Sequence, residues 1–211
     1  MKVTLLDSMG NDLSVVNAAR VSFHKVASEY TEKDAKLIKY LASHDHWTPF
    51  SQVTYQVRIS APIFIARQWF KHQIGITRNE VSRRYVSDEP EFYVPETWRG
   101  APVNGAKQGS AGELDAVEDY LATGNMWAVY DRSRKSYDDL LSLGVCPEQA
   151  RMVLPQGMYT EWVETGSIAA AARIIKQRVD HNAQAEIREL AMMLQEEIKD
   201  IAPVSLAALM E

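Results

Sequence analysis

Cysteine is nearly absent: Cys146 is the only one in 211 residues. No intrachain disulfide can form and no paired-cysteine zinc pattern exists. That usage fits a reducing compartment. Apolar residues never run for the roughly 18 positions a membrane helix needs. The opening MKVTLLDSMG has one positive charge and too short an apolar stretch for a secretory signal. A cytoplasmic protein with no membrane partner is expected. Positive charge is also in short supply, with 23 Lys and Arg against 28 Asp and Glu and a formal charge of −5. A general polyanion binder is usually basic, so no nucleic-acid partner is expected. Any anion site must come from a local cluster. What is present, 46% hydrophobic and 24% charged residues, suits a folded globular protein. The length predicts one domain over residues 1–211 with a core of its own. Internal repeats and low-complexity segments are lacking.

Val3 to Asp7 reads as a short strand, and Asn11-Asp12 offer a cap for a helix to about Phe23. Thr31 with Asp34 three positions on resembles a capping box before a helix carrying Leu37, Ile38 and Leu41. Val53 to Ser60 alternates apolar and polar residues, a half-buried strand. Pro62 predicts a helix start, with that helix reaching about His72. Residues 74–95 read as an irregular loop with short extended pieces, ended by Pro90 and Pro95, and the glycine-rich stretch 100–112 as an exposed one. Glu113 to Leu143 is helical in composition with a break predicted at Gly124-Asn125. Pro147 opens a short helix through Val153, Tyr159 to Thr165 reads as a strand, and Ser167 caps an Ala-rich helix to about Val179. A last helix, about Ala183 to Ile201, buries Ile187, Leu190, Ala191, Leu194 and Ile198 on one 3.6-residue face. Strands and helices mix without a regular βαβα alternation, which predicts an α/β or α+β fold.

The stretch Arg67 to Tyr85 differs from its surroundings. It holds five Lys and Arg residues, Arg67, Lys71, Arg78, Arg83 and Arg84, and one acid, Glu80. Arg grips phosphate with a bidentate fork and Lys with a point charge. Ser82 and loop N–H groups add neutral donors. Trp69, Phe70 and Tyr85 offer rings to flat ligands, and Gln68 offers both donor and acceptor to a base edge. Taken together the residue types suit a nucleotide monophosphate.

At these residues the chain resembles the flavin-dependent thymidylate synthases. Their signature is Arg-His-Arg, seven residues, then Ser, continuing Gly-Arg-Tyr. The matching run is Lys71-His72-Gln73, eight residues, then Ser82-Arg83-Arg84-Tyr85. Arg67-Gln68-Trp69-Phe70, His46-Trp47-Thr48-Pro49-Phe50 and Ala61 to Ala66 match further family blocks, as do Ala150 to Pro155, Arg178-Val179-Asp180 and Ala183 to Ile187. The departures are Lys71 and Gln73 for two signature arginines, one extra residue before Ser82, and Arg83 for a glycine. Ser167-Ile168-Ala169 stands where the family has an Asn-x-Arg flavin contact, with Arg173 in place of an asparagine.

The resemblance implies a mixed sheet with several long helices and the conversion of dUMP to dTMP. The carbon comes from methylenetetrahydrofolate, the hydride from reduced FAD, and NADPH re-reduces the flavin. Homotetramers sharing active sites are implied. Gln68, Trp69, Phe70, Lys71, Glu80, Val81, Ser82, Arg83, Arg84, Arg151 and Arg178 are expected to hold dUMP. Arg178 and Ser82 are the expected catalytic groups, Arg178 by stabilising charge at the uracil N3 and Ser82 by binding and polarising the substrate. His46, Thr48, Lys71, His72, Gln73, Glu80, Ser167, Ile168, Ala169 and Arg173 are the flavin-side candidates. No metal is expected, because the histidines lack HxxxH or HExxH spacing. Cys146, with no basic neighbour to lower its pKa, is expected to be a small structural core residue. The rival to the enzyme reading is a nucleotide-binding or interaction protein on the same fold that has lost flavin.

Overall fold

The computed structural model describes residues 1–86, 88–102 and 109–211. The centre of the glycine-rich loop predicted at 100–112 lies outside them. The described residues form eight α-helices and four strands, as the mixed composition predicts. The chain divides into two compact units: Met1–Ser60, Gln68–Asn79 and Trp162–Glu211 in the first, Ala61–Arg67 and Glu80–Glu161 in the second.

Strands β1 (Lys2–Met9), β2 (Thr54–Pro62), β3 (Ile76–Glu80) and β4 (Tyr159–Ser167) form one sheet in the order β1-β2-β4-β3. β1 and β2 are antiparallel, pairing Val3 with Ile59 and Leu5 with Val57, with a register irregularity between Leu5 and Asp7. The alternation read in the sequence holds: Tyr55, Val57 and Ile59 are buried, and Arg58 between them is exposed. β1 is an edge strand, and its Leu5 N–H donates to Glu197 Oε2 at 2.7 Å. A charged side chain there blunts an edge that would otherwise accept another strand.

In the first unit, α1 (Asp12–Arg20) starts at an Asn11 capping box closed by Ser14. A 3₁₀ turn, Val21–Phe23, completes the helix expected to reach Phe23. α2 (Glu32–Ser43) starts at the Thr31–Asp34 box. Asp34 also pairs with Arg20 at 2.5 Å. α6 (Ile168–Arg178) and α7 (Ala185–Ile198) pack against each other, and α8 (Pro203–Met210) packs on α2 and α6. The five α7 residues predicted to be inward are all buried. Ile187, Leu190, Leu194 and Ile198 each contribute about 1.5–3 kcal/mol by leaving water. α8 lies beyond Ile201, where the last helix expected from the sequence ends. Its N-terminus is capped from far away: Asp12 accepts from Val204 N, Ser205 N and Ser205 Oγ at 3.1, 2.8 and 2.6 Å.

In the second unit, β2 stays extended through Pro62, because the N–H groups of Ile63 and Phe64 donate to Met158 O and Gln156 O. α3 (Ile63–Trp69) therefore begins one residue later and ends earlier than predicted. α4 (Ala116–Ser142) is one continuous helix capped by Asp115, with no break at Gly124-Asn125. Asn125 turns its amide back onto Leu121 O at 2.9 Å, which satisfies the side chain without leaving the helix. α5 (Pro147–Ala150) and a 3₁₀ turn, Arg151–Val153, follow as the predicted short helix. Cys146 is exposed at the α5 N-cap, which corrects the expectation of a core position. Its φ of −65 and ψ of 147 are the extended values of an N-cap residue, and its side chain makes no capping hydrogen bond.

Candidate active site

The segment expected to carry the chemistry is built in the first unit around one carboxylate. Glu164 on β4 is fully buried. Its Oε1 accepts from Tyr55 Oη at 2.9 Å, and its Oε2 from Arg78 Nε at 2.6 Å, Trp69 Nε1 at 2.8 Å and Trp162 Nε1 at 3.4 Å. A buried carboxylate is tolerable because its lone pairs are occupied and a guanidinium neutralises it. Burial, then the Glu164 charge, raise the Tyr55 phenol well above its ordinary range. Tyr55 can lie on β4 only because residue 166 is glycine. A Cβ there would stand 2.7 Å from the Tyr55 hydroxyl.

Trp69 and Phe70 are thus committed to packing. The Trp69 ring is fully buried, and the Phe70 ring meets Trp162 edge-on at 5.0 Å with Arg78 over it at 5.2 Å. The Trp69 ring is thereby turned onto Glu164, whereas Phe70 remains half-buried. Tyr85 does stay open, 78% exposed. Arg78 and Glu164 were missed as partners. β3 is one of the short extended pieces expected within 74–95, and Ile76-Thr77-Arg78-Asn79-Glu80 is polar because it is a sheet edge.

Beyond Trp69 the chain turns with His72 N donating to Trp69 O, and Gly75 takes φ +75. That left-handed conformation suits glycine. Lys71 and Gln73 are exposed. His72 is half-buried and accepts from Arg178 Nε at its Nε2, at 2.9 Å. Accepting at Nε2 requires the neutral ring with its proton on Nδ1. Burial, reinforced by the nearby charges of Arg178, Arg78 and Arg173, lowers the His72 pKa to about 4. Arg178 ends α6, is half-buried, and has its own pKa lowered by that burial. With Nε on His72, its two terminal amino groups make no hydrogen bond among the described residues. Gln68 Nε2 donates to Gln184 Oε1 at 2.5 Å, and Gln184 Nε2 to Glu186 Oε2 at 2.9 Å. This joins the Gln68 and Gln184 blocks picked out in the sequence.

On the flavin side, Ser167 caps α6 by accepting from Ala170 N at 3.2 Å. Ile168 and Ala169 are buried. None of these three side chains offers a free charged donor, while the exposed Arg173 donates to Ile74 O at 2.6 Å. A cavity of about 650 Å³ lies over this helix, lined by Trp47, Ala169, Arg173 and Lys176 among others, with Lys39 and Asp45 from the region of α2. Its size falls in the range of cofactor sites. Thr48 and His46 are exposed beside Trp47.

The second unit holds the other expected dUMP residues. Ser82 Oγ accepts from Arg84 N and Arg84 Nε, both at 3.3 Å. Arg84 lies 3.7 Å from Glu148, one turn before Arg151 in the chain, and Arg151 itself is exposed. Arg83 turns away onto Asp88 O. Glu80 Oε1 accepts from Thr160 Oγ1 at 2.6 Å, and Val81 N donates to Glu161 O at 2.8 Å.

The sequence profile of the family described as thymidylate synthase complementing protein matches residues 4–204. A flavin-dependent thymidylate synthase from Thermus thermophilus is 38% identical over 209 residues, covering 99% of this chain and 75% of that one. Another from Thermosipho africanus is 37% identical over 207 residues, covering 98% and 90%. Among solved structures, PolB, a UMP/dUMP methylase from Streptomyces cacaoi bound with 5-Br dUMP, superposes with a TM-score of 0.88 at 28% identity over 98% of this chain and 93% of its own. The chain belongs to the flavin-dependent thymidylate synthase family. No helix among the described residues is long and apolar enough to cross a membrane.

Proposed function

We propose that this chain, acting as one catalytic domain, converts dUMP to dTMP, with the carbon from methylenetetrahydrofolate and NADPH as the reductant of the flavin. The observation that carries the reading is Arg178, half-buried and held through Nε by a neutral His72. A guanidinium fixed in a partly desolvated place stabilises charge as it develops, without reorganising at the moment of reaction. Turned to the uracil N3, it would draw negative charge there and polarise the ring. Gln68, Ser82, Arg84 and Arg151 would bind the nucleotide, the arginines meeting its phosphate. Ser82 hydrogen-bonds to Arg84, which suits a shared grip on one anion.

The residues over α6 fit a flavin. The cavity is roomy, presents an exposed Trp47 ring, and carries Lys39, Arg173 and Lys176 against Asp45 and Glu211. Arg173, which lines the cavity, would hold FAD there and supply the charge that Ala169 lacks, with Thr48, His72 and Gln73 as further flavin contacts. When bound, the flavin supplies the hydride, and the protein supplies its position. A homotetramer in the cytoplasm is part of the same proposal. Its test is direct. The purified protein should show a flavin spectrum that bleaches with NADPH, and should form dTMP from dUMP and methylenetetrahydrofolate. A colourless protein that takes up no added FAD and forms no dTMP overturns the reading. It would favour a nucleotide-binding protein without redox chemistry, which the Ser167-Ile168-Ala169 replacement motivates.

A further inference from the structure

Trp69 Nε1 and Arg78 Nε donate to the same oxygen, Glu164 Oε2, at 2.8 and 2.6 Å. The stretch 70–77 between those two donors carries Lys71, His72 and Gln73. One fully buried carboxylate thus fastens both ends of that loop. Its remaining oxygen is held by Tyr55, so Glu164 has little freedom to follow if the loop moves.

The chemistry is an unusual choice for a pin. Filling such a volume with apolar side chains is generally as stabilising as an ion pair, or more so. The pair is not even fully satisfied, since Arg78 Nη2 is buried with no partner among the described residues. What an ionic, multiply bonded carboxylate adds over packing is direction. Arg78 is also placed to matter to its neighbour, because its charge is one of those that keep His72 unprotonated. The guanidinium lies over Phe70, the residue that follows Trp69, so the two loop ends touch each other as well as the carboxylate.

We propose that Glu164 is a positioning residue: by holding Trp69 and Arg78 together it closes the 69–78 loop and sets where His72 meets Arg178. The inference rests on the reading of Arg178 as the group that faces the uracil. Glu164 itself touches no substrate.

Glu164→Gln tests it. Glutamine keeps the size and one acceptor but removes the charge and cannot accept from all the donors. In folded protein, hydrogen exchange across residues 70–77 should accelerate while the α7 core exchanges as before. The turnover number for dTMP should fall about tenfold to a hundredfold, as expected when a catalytic group is slightly misplaced. The His72 ring nitrogens should lose the signature of a neutral ring accepting at Nε2, which a general loss of stability in still-folded protein would not change. Should that variant fail to fold, Glu164→Gln combined with Arg78→Met removes the stranded cation, and the same loop exchange and ring-nitrogen shifts are expected. Wild-type exchange across 70–77 with an unaltered His72 signature, in either folded variant, overturns the proposal. If the unmodified protein forms no dTMP, the proposed function fails separately. Loop exchange and the His72 signature still decide the role of Glu164.

Discussion

Acidifying the protein should cost stability through His72. In the unfolded chain this ring takes up a proton near its ordinary pKa of 6.5, whereas the folded protein resists until about 4. Between those values the unfolded state binds more protons, so stability falls as pH drops through the window and is fully present above it. The gap is worth about 3 kcal/mol for a fully shielded group. His72 is only half-buried, and solvent screening reduces the expectation to about 1–2 kcal/mol. The assay is urea unfolding at pH 7 and at pH 4.5 for the wild type and for His72→Gln, whose amide oxygen can still accept from Arg178. Subtracting the two differences isolates His72 from the many carboxylates that also titrate on acidification. A ring titrating near 6.5 by NMR would refute the reasoning. So would an acid-induced loss that is the same in both proteins, because either result means that His72 is neither desolvated nor crowded by Arg178.

Arg178→Ala should reduce dTMP formation by about two to three orders of magnitude, the usual cost of a fixed charge-stabilising donor, while circular dichroism and melting stay near wild type. Near-normal turnover would show the site to be elsewhere. Leu190→Ala, at a fully buried α7 position, should lower unfolding free energy by about 2–5 kcal/mol. A smaller loss in denaturant titration would mean that the α7 packing is looser than described. Gly166→Ala should destabilise by about 1–3 kcal/mol, since the new methyl would overlap the Tyr55 phenol. Adding Tyr55→Phe should recover part of that loss, and a Gly166→Ala protein that melts like the wild type would contradict the close approach.

Much of this was readable from short-range pattern. The Asn11 and Thr31 caps, the alternation of β2 and the inward face of α7 each depend on residues a few positions apart. The resemblance to the family's motif blocks is what picks out His72, Ser82 and Arg178 as expected site residues. What stayed hidden depends on distant partners. α8 owes its N-terminal cap to Asp12, at the other end of the chain. Glu164 draws its three shortest hydrogen bonds from Tyr55, Trp69 and Arg78, 86 to 109 positions away, so its sequence neighbours do not mark it as the centre of a network. The pairing of Trp69 with Glu164 is hidden for the same reason: aromatic character alone does not say which neighbour a ring will meet. The expected break in α4 failed because helix context outweighs the weak preferences of one Gly-Asn pair.

The solitary thiol has a practical use. Cys146 is exposed and sits two positions before Glu148, the carboxylate beside Arg84. With no other cysteine in the chain, a maleimide dye would attach at one known place without prior mutagenesis. Its emission could then follow nucleotide titrations on the Arg84 face in real time.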